Sequence, residues 1–385
     1  MRFASFIILL LTGLAYTCWR IWRIVPASPV WKWAAVTAWI LCFASIFIHY
    51  GLGDRLPLWL AAATYEIGTS WLIAFFYVIM LFVALDLGRL LHLVPVSFLK
   101  NSPAGALTVA GAIALLLLGG WIHYHHKYRE SLEIGSGKVK GDTVTVVFAS
   151  DLHIGYHNRA REISRWVDMI NAENADLVLF AGDILDGALR PAVEWDYASI
   201  LRGIKAPVFA CPGNHEYIAG KEKALAFLEG AGIRVLADSA AVEAGIRVIG
   251  RDDRSNRSRK ALQDIAPGDS LFTIVLDHQP YHLEEAEQYG ADFQFSGHTH
   301  HGQIWPGNWL TNAMYEKAFG EHRRGDTRYY ISSGLGIWGG KFRIGTRSEY
   351  VVLRIHRSLG CVFPSALMTA EDSTSRVTKK LLRCS

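Results

Sequence analysis

The sequence predicts a multi-pass α-helical membrane region followed by an α/β domain. Two observations predict this class: residues 1–122 are nearly uncharged, and from residue 143 short β-branched runs alternate with helical periods. Only seven of the 39 basic and three of the 35 acidic side chains lie in residues 1–122, together with eight of the 13 tryptophans. The rest of the chain has the charge content of an ordinary globular domain.

Composition excludes several classes of protein. With 51% hydrophobic residues, 19% charged residues and a mean hydropathy of +0.18, the chain is neither disordered nor fibrous. The net charge of +4 is mild and evenly spread, so no nucleic-acid partner is expected. Of the five cysteines, only Cys361 and Cys384 are candidates for a disulfide, and cysteine content therefore leaves the redox compartment open.

Four apolar segments are long enough to cross a bilayer, which takes about 20 helical residues. They cover residues 4–22, 32–52, 69–92 and 104–122. The first segment can also be interpreted as a signal peptide, but no small-residue cleavage site follows it, so we expect a retained helix. Asp86 and Arg89, one turn apart in the third segment, are expected to neutralise each other at the membrane interface.

Loop charges predict the orientation in the membrane, because basic loops stay in the cytoplasm. The first and third loops contain five basic residues: Arg20, Arg23, Lys32, Arg89 and Lys100. The second loop has Arg55 beside two acids. This pattern predicts an extracytoplasmic C-terminal domain, whereas the basic stretch at 123–129 favours the opposite orientation.

We expect a linker over residues 123–142, which contain three glycines, an α/β domain over 143–357, and a poorly ordered polar tail over 358–385. The apolar stripe of Ile163, Trp166, Val167 and Ile170 predicts an amphipathic helix. Eight strands are predicted: Thr143–Ala149, Leu177–Ala181, Val208–Cys211, Arg247–Gly250, Phe272–Leu276, Phe293–Phe295, Tyr329–Ser332 and Tyr350–Ile355.

Polar side chains follow five of these strands, at the point where each strand ends. The five blocks are Asp151-Leu152-His153, Gly182-Asp183-Ile184-Leu185-Asp186, Gly213-Asn214-His215-Glu216, Asp277-His278 and Gly297-His298-Thr299-His300. One such block alone is usually a turn or a helix cap. Because ligands of open α/β folds bind at the carboxyl ends of the strands, the ordered set is expected to converge. Carboxylate, imidazole and amide oxygen are suitable ligands for divalent Mn, Fe, Zn or Ni, so the sequence predicts a metal site.

The order of the blocks resembles the signature of the calcineurin-like metallophosphoesterases, over residues 144–355. The continuations His300-His301-Gly302-Gln303 and Ser332-Ser333-Gly334-Leu335-Gly336 look like the membrane-associated phosphodiesterase branch of that family. The resemblance implies an α/β sandwich of two mixed sheets flanked by helices. Because members of this branch often have glycine where this chain has His301, that histidine is either an extra group in the pocket or a neutral surface residue.

The resemblance also implies two divalent metal ions and the residues that bind them. Asp151, His153 and His300 would bind one ion. Asn214, His278 and His298 would bind the other, and Asp183 would bridge both. In this family a hydroxide between the metals attacks the phosphorus in line. His215 matches the residue that gives a proton or a hydrogen bond to the leaving oxygen, while Asp186 and Glu216 are expected to support the ligands.

The function expected from these residues is that of a membrane-anchored dinuclear-metal phosphohydrolase. We expect a phosphodiesterase, whose candidate substrates include lipids and cell-envelope precursors. The alternative is a membrane sensor or transport component whose metal-binding domain is catalytically silent. The complete ligand blocks and His215 count against this alternative. A basic run at 251–260, with Arg251, Arg254, Arg257, Arg259 and Lys260, is either a solvated loop or a contact for anionic headgroups.

Overall fold

The structure, a computed structural model, describes residues 2–139, 141–268 and 270–358. Apart from residue 358, the predicted C-terminal tail lies outside this part of the chain, and so do Cys361 and Cys384. Four long helices come first: α1 (Arg2–Ile24), α2 (Pro29–Leu52), α3 (Leu58–Leu90) and α4 (Pro103–His125). All four are long and apolar enough to cross a membrane.

Helix α3 begins at Leu58, eleven residues before the predicted start at residue 69. Its 33 residues extend over about 50 Å, while a bilayer core is only about 30 Å thick. The helix is therefore longer than a bilayer core requires, and its first three turns pack against the α/β domain. There Ala61, Ala62 and Tyr65 form one buried cluster with Tyr156.

The loops that join α1 to α2 and α3 to α4 lie together at one end of the helices. The Lys32 ammonium donates to Asn101 Oδ1 at 2.5 Å, and the Asn101 N–H donates to the Arg23 carbonyl at 2.8 Å. The other end, with the α2–α3 loop and the C-terminus of α4, faces the α/β domain. Asp86 forms the expected i,i+3 ion pair with Arg89, at 4.0 Å, but Arg20 of α1 is its closer partner, which the sequence did not predict.

The rest of the described chain forms twelve strands, eight shorter α-helices and one 3₁₀ helix, His300–Gly302. The strands are β1 (Lys127–Ser136), β2 (Thr143–Ala149), β3 (Leu177–Ala181), β4 (Val208–Cys211), β5 (Ile233–Val235), β6 (Ser239–Glu243), β7 (Ile246–Gly250), β8 (Phe272–Leu276), β9 (Phe293–Ser296), β10 (Gly320–Arg324), β11 (Thr327–Ile331) and β12 (Ser348–Arg357). The helices are α5 (Ala160–Ala172), α6 (Arg190–Glu194), α7 (Tyr197–Leu201), α8 (Asn214–Ile218), α9 (Lys221–Gly230), α10 (Leu262–Ile265), α11 (Glu284–Tyr289) and α12 (Gly307–Met314).

The strands make two six-stranded mixed sheets, ordered β1-β12-β2-β3-β4-β5 and β10-β11-β9-β8-β7-β6. In the first sheet β12 runs antiparallel to β2, and all other pairs are parallel. In the second sheet β9, β8 and β7 are parallel neighbours, while the two edge hairpins are antiparallel. This is the two-sheet architecture that the family resemblance implies.

Successive side chains of a strand point to opposite faces of its sheet, and this alternation builds the layers of the domain. In β2, Val146 and Phe148 face the second sheet, where Phe148 stacks on Phe295 with ring centroids 4.7 Å apart. Val147 and Ala149 face the opposite way and pack with α5, whose buried face contains Trp166 as its periodicity predicts. The result is a helix–sheet–sheet–helix sandwich with its main core between the sheets.

The predicted linker at 123–142 is wrong for residues 127–136, which form β1 and pair with β12 over ten residues. Because β1 is an edge strand, its sequence lacks the apolar alternation that predicts a strand. Only Leu132 of this polar strand is buried. All eight predicted strands are present, with ends shifted by up to two residues. Strands β5, β6 and β10 are short or exposed, and the sequence did not predict them.

Candidate metal centre

The five polar blocks converge at one edge of the sandwich. Three follow β2, β3 and β4 of the first sheet, and two follow β8 and β9 of the second. The parallel strands of both sheets end at this edge, so their loops meet there. Five of the residues proposed as ligands have a left-handed backbone, with φ between 45° and 70°: Asp151, His153, Asp183, His298 and His300. Strained backbone of this kind is typical of functional sites.

One cluster consists of Asp151, His153 and His300, whose ligand atoms lie within 4.8 Å of one another. His300 Nε2 is 3.1 Å from His153 Nε2 and 3.4 Å from Asp151 Oδ1. The Asp151 carboxylate also accepts the His298 N–H at 3.0 Å, which ties this cluster to the next loop. Asp151 and His153 are completely buried.

A second cluster consists of Asp183, His278 and His298, again within 4.8 Å. Asp183 Oδ2 is 3.2 Å from His278 Nε2 and 3.8 Å from His153 Nε2, a member of the first cluster. The carboxylate of Asp183 therefore lies between the two clusters. Its other oxygen accepts the His215 N–H at 2.8 Å, which fixes the orientation of the group.

The two clusters lie at an opening on the protein surface that is lined by Asp183, His298 and His300. Asn214 lines this opening as well. Its amide oxygen is buried, and it has no hydrogen-bond partner among the described residues. A buried polar atom without a partner is costly, so a missing ligand is its simplest explanation. All seven residues that the sequence predicts as ligands are thus brought to one place.

Hydrogen bonds on the far side of two imidazoles select the tautomer that a metal needs. His278 Nδ1 is 2.7 Å from the Ala181 carbonyl, and His153 Nδ1 is 3.1 Å from Asp186 Oδ1. Each Nδ1–H donates to oxygen, so each Nε2 lone pair faces the centre of the site. Such partners orient metal-binding histidines in general.

Burial and neighbouring charge shift the pKa values of the site. Burial lowers the pKa of His298 to about 4 and lowers the pKa of His300 well below its usual range, so both are neutral and ready to bind a cation. Burial also lowers the pKa of His278, but the carboxylate of Asp183 outweighs this effect and holds it well above the usual range. A cation would displace this proton, because metal ligands must be deprotonated.

His215 lies beside the clusters without belonging to the two ligand sets implied above. Its ring centroid is 4.5 Å from that of His153, and its Nδ1 is 3.8 Å from Asp186 Oδ1. Nδ1 is buried and unpaired among the described residues. Burial and the adjacent His153 lower the pKa of His215, so its ring is neutral near pH 7.

Glu216 supports the loops and is fully buried. Its carboxylate accepts the N–H groups of Gly213 at 2.7 Å, Leu185 at 2.9 Å and Asp183 at 3.0 Å. Burial, with Asp183 nearby, raises the pKa of Glu216 to about 7. Gly213 itself is required here because a side chain at this position would overlap the Asp183 carboxylate.

The donor set fits divalent cations. It offers carboxylate, imidazole and amide oxygen from groups that are mostly buried, and Asn214 Oδ1 is buried without a hydrogen-bond partner among the described residues. Manganese, iron, zinc and nickel all accept such ligands. Asp186 and Glu216 hydrogen-bond the proposed ligands and their loops, which is the position expected of supporting residues.

The structure adds residues that sequence reasoning missed. Tyr65 of α3 donates its hydroxyl to Asp186 Oδ2 at 2.5 Å, and His157 Nδ1 is 3.4 Å from the same oxygen. The fully buried Arg343 donates to the carbonyls of His300 and Ser333, at 2.8 and 2.5 Å. No local motif marks these residues, because their partners are distant in sequence.

The structure bears on two alternatives that the sequence left open. His301 stacks on Phe319 with ring centroids 4.6 Å apart, so it packs against the protein and does not line the opening of the metal centre. In the basic run, Arg251 is buried and paired with Glu285, and Arg259 is 2.6 Å from Asp277. These two arginines are structural, whereas Arg257 and Lys260 are exposed, so the solvated-loop interpretation holds for only part of the run.

Comparison with known proteins yields a consistent set of relatives. A family model described as calcineurin-like phosphoesterase matches residues 144–302. An uncharacterized metallophosphoesterase of Aquifex aeolicus (strain VF5) is 30% identical over 256 residues, which cover 62% of this chain and 97% of that protein. An uncharacterized metallophosphoesterase of Helicobacter pylori (strain J99 / ATCC 700824) is 31% identical over 223 residues, covering 54% of this chain and 59% of that protein.

A third relative is described as a transmembrane protein with a metallophosphoesterase domain. This Danio rerio protein is 32% identical over 228 residues, which cover 53% of this chain and 51% of that protein. The chain thus spans only 59% of the Helicobacter relative and about half of the Danio relative. Its four apolar helices and the description of this relative agree in supporting a membrane location.

Proposed function

Because the chain belongs to the calcineurin-like phosphoesterase family, we propose that it is a membrane-anchored phosphohydrolase with two divalent metal ions and that it cleaves phosphodiesters. Asp151, His153 and His300 bind one ion, and Asn214, His278 and His298 bind the other. Asp183 is shared by both. The supporting observation is the position of Asp183 Oδ2, within 3.8 Å of an imidazole nitrogen from each cluster.

Divalent cations in such a site supply a nucleophile at neutral pH and stabilise charge that develops on phosphoryl oxygens. The chain's own residues provide the rest. His215 gives a hydrogen bond, or in its protonated form a proton, to the leaving oxygen, because it lines the same opening as Asp183 and His300. Asp186 keeps the Nδ1–H of His153 in place, and Glu216 holds the two loops together.

The proposal is tested by assaying the detergent-solubilised full chain across a panel of metals and substrates. We expect Mn²⁺ to support hydrolysis of bis(p-nitrophenyl) phosphate, with a phospholipid diester also cleaved. Release of p-nitrophenol from p-nitrophenyl phosphate alone would agree with a phosphohydrolase. It would contradict the phosphodiesterase assignment. A chain that binds two metal ions yet releases product from no ester of the panel would favour the silent sensor.

We also propose that the catalytic domain is extracytoplasmic. The five basic residues of the predicted first and third loops lie in these loops or in the helix ends that flank them, at the end of the helices remote from the domain, as the Lys32–Asn101 hydrogen bond supports. The end near the domain has the loop with Asp54 and Arg55. Because basic loops stay in the cytoplasm, the domain would lie on the other side.

A reporter fused after Ser385 tests this orientation. Alkaline phosphatase, which folds only outside the cytoplasm, is expected to be active in the fusion, while green fluorescent protein at the same point is expected to be dark. A matched pair of fusions in the α3–α4 loop, after Lys100, should give the reverse result. Fluorescence after Ser385 would contradict the assignment.

Replacing Tyr65 with phenylalanine is expected to weaken Mn²⁺ binding by about 10–100-fold, the usual effect of losing a group that orients a ligand. The hydroxyl is the hydrogen-bond donor from a membrane helix to Asp186, whose other oxygen accepts from His153. Mn²⁺ titration followed by electron paramagnetic resonance measures the change. Tyr329→Phe is the control, because it removes an equally buried hydroxyl that donates to the Leu283 carbonyl away from the site. Equal affinities in the two variants would contradict the role of Tyr65.

A further inference from the structure

Beside the metal centre the domain exposes a group of large apolar side chains, which we call the apolar rim. Three belong to α12: Trp309, Leu310 and Met314 are 64%, 63% and 56% exposed. Trp305 and Trp338, from the flanking loops, are 38% and 39% exposed. The rings of Trp305 and Trp309 contact each other with centroids 5.4 Å apart, and a group of exposed apolar side chains of this kind marks a contact site.

Helix α12 also lacks the packing that normally stabilises a short helix. None of its eight residues is buried. Two helical turns are not stable in water by themselves, because the cost of nucleation is recovered only by packing an apolar face against something. The helix therefore has an apolar face without a partner in the described part of the chain.

The loops next to the rim pack directly against the membrane helices. The Tyr77 hydroxyl of α3 donates to the Trp305 carbonyl at 2.7 Å, and the Arg343 N–H donates to the Gly120 carbonyl of α4 at 3.0 Å. A side chain at Gly340 would lie 2.9 Å from Ile73 Cδ1, so this loop touches α3 closely. The rim thus continues the surface of the helices.

The length of α3 indicates how deep the apolar rim lies in the membrane. About 20 residues cross the bilayer core, and the last 20 residues of α3 are 71–90. Ile73 and Tyr77 lie in the first two turns of that span, on the side of the domain. Tyr77 is about 9 Å inside that span, so Trp305, bound to Tyr77, lies on the acyl-chain side of the membrane–water interface, a region where tryptophan is favoured.

We propose that the apolar rim inserts into the leaflet of the same membrane that the chain's own helices cross. Helix α12 then lies in the plane of the interface, with its apolar side chains among the acyl chains. We assign lipid as the partner that covers the apolar rim, because the rim is continuous with α3 and α4, which lipid already surrounds.

This insertion places the opening of the metal centre at the membrane surface. Gln303 Nε2 donates to the Trp338 carbonyl at 2.9 Å, and both residues line that opening. A neighbouring cavity of about 730 Å³ lies between the α2–α3 loop and the site, lined by Tyr65, His215 and Trp338 among others. Resting on the proposed function, we infer that the substrate class is membrane lipids with a phosphodiester headgroup, for which this volume is suitable.

The depth of the apolar rim in the membrane is measured without any assay of activity. The five cysteines are replaced by serine, Leu310→Cys is labelled with the fluorophore NBD, and the full chain is placed in nanodiscs with ordinary or acyl-brominated lipids. Bromine is expected to quench the label at residue 310, but not at Val242→Cys, an equally labelled exposed position (55%) on β6. Trp309→Cys serves as a second rim position if Leu310→Cys folds poorly.

Equal emission from residue 310 in the two lipids would overturn the insertion, and so would equal quenching at 310 and 242. Shielding of residue 310 that depends on protein concentration, without quenching by bromine, would indicate a second copy as the occupant and would likewise overturn it. These outcomes hold whether or not the chain hydrolyses an ester, so they are distinguishable from failure of the proposed function.

The substrate class is tested by the double substitution Leu310→Ser with Met314→Ser. It is expected to lower kcat/KM on a phospholipid diester in vesicles by about tenfold and to leave kcat/KM on bis(p-nitrophenyl) phosphate unchanged. Equal rates of the parent and variant on both substrates would overturn the lipid assignment. If the parent cleaves neither ester, the proposed function fails and the bromine result still decides the insertion.

Discussion

Replacing Asp183 with asparagine is expected to remove one of the two metal ions and to lower kcat by about 10²–10⁴-fold, since metals contribute several kcal/mol to transition-state stabilisation. Asp183 is the one described carboxylate with an oxygen near an imidazole of both clusters. Asparagine keeps the shape, and its amide oxygen can still accept the His215 N–H. The change therefore removes a negative ligand with little disturbance of the loop.

The experiment compares metal content by mass spectrometry with kcat on bis(p-nitrophenyl) phosphate. Asp168→Asn is the matched control, because Asp168 is an exposed residue of α5 that has the same charge and lies outside the site. We expect two ions per chain and full turnover for the control. Full metal content and parental turnover in Asp183→Asn would contradict the shared-ligand assignment.

The substitution His215→Asn is expected to lower kcat by about 10²–10⁴-fold on a diester with an alkoxide leaving group. An alkoxide needs a proton or a hydrogen bond as the bond breaks, whereas p-nitrophenolate leaves without one. The loss on bis(p-nitrophenyl) phosphate should therefore be much smaller. Metal content should not change, because His215 is outside the proposed ligand sets.

Steady-state rates on the two diesters, each at saturating Mn²⁺, measure this difference. His282→Asn is a suitable control, since His282 is exposed and its ring pairs with Glu284, which is not among the residues of the site. The same loss on both esters, together with a loss of metal, would make His215 a ligand. Unchanged turnover on the alkyl diester would remove it from the catalytic groups.

Much of the fold and of the candidate site could be predicted from the sequence, for a physical reason. A strand that is buried on both faces is apolar throughout, so the polar residue that ends it is conspicuous, as with Leu177–Ala181 followed by Gly182 and Asp183. The family resemblance and the two mixed sheets are confirmed. The metal-binding roles of the individual residues remain predictions.

Other features could not be predicted, because they depend on contacts between distant parts of the chain. Strand β1 is polar, and only its pairing with β12 makes it a strand. The hydrogen bond from Tyr65 to Asp186 joins residues 121 positions apart. The buried Arg343 likewise owes its role to carbonyls on other loops. Such long-range contacts leave no periodic trace in a local window.

The central claim, a hydrolase that uses two metal ions, is tested most directly by measuring turnover against bound Mn²⁺ per chain. The metal-free full chain is titrated with Mn²⁺ while bound metal and release of p-nitrophenol from bis(p-nitrophenyl) phosphate are followed together. We predict that turnover rises as the second ion binds and reaches its maximum at two ions per chain. Maximal turnover with one ion, or no turnover with two, would contradict the claim.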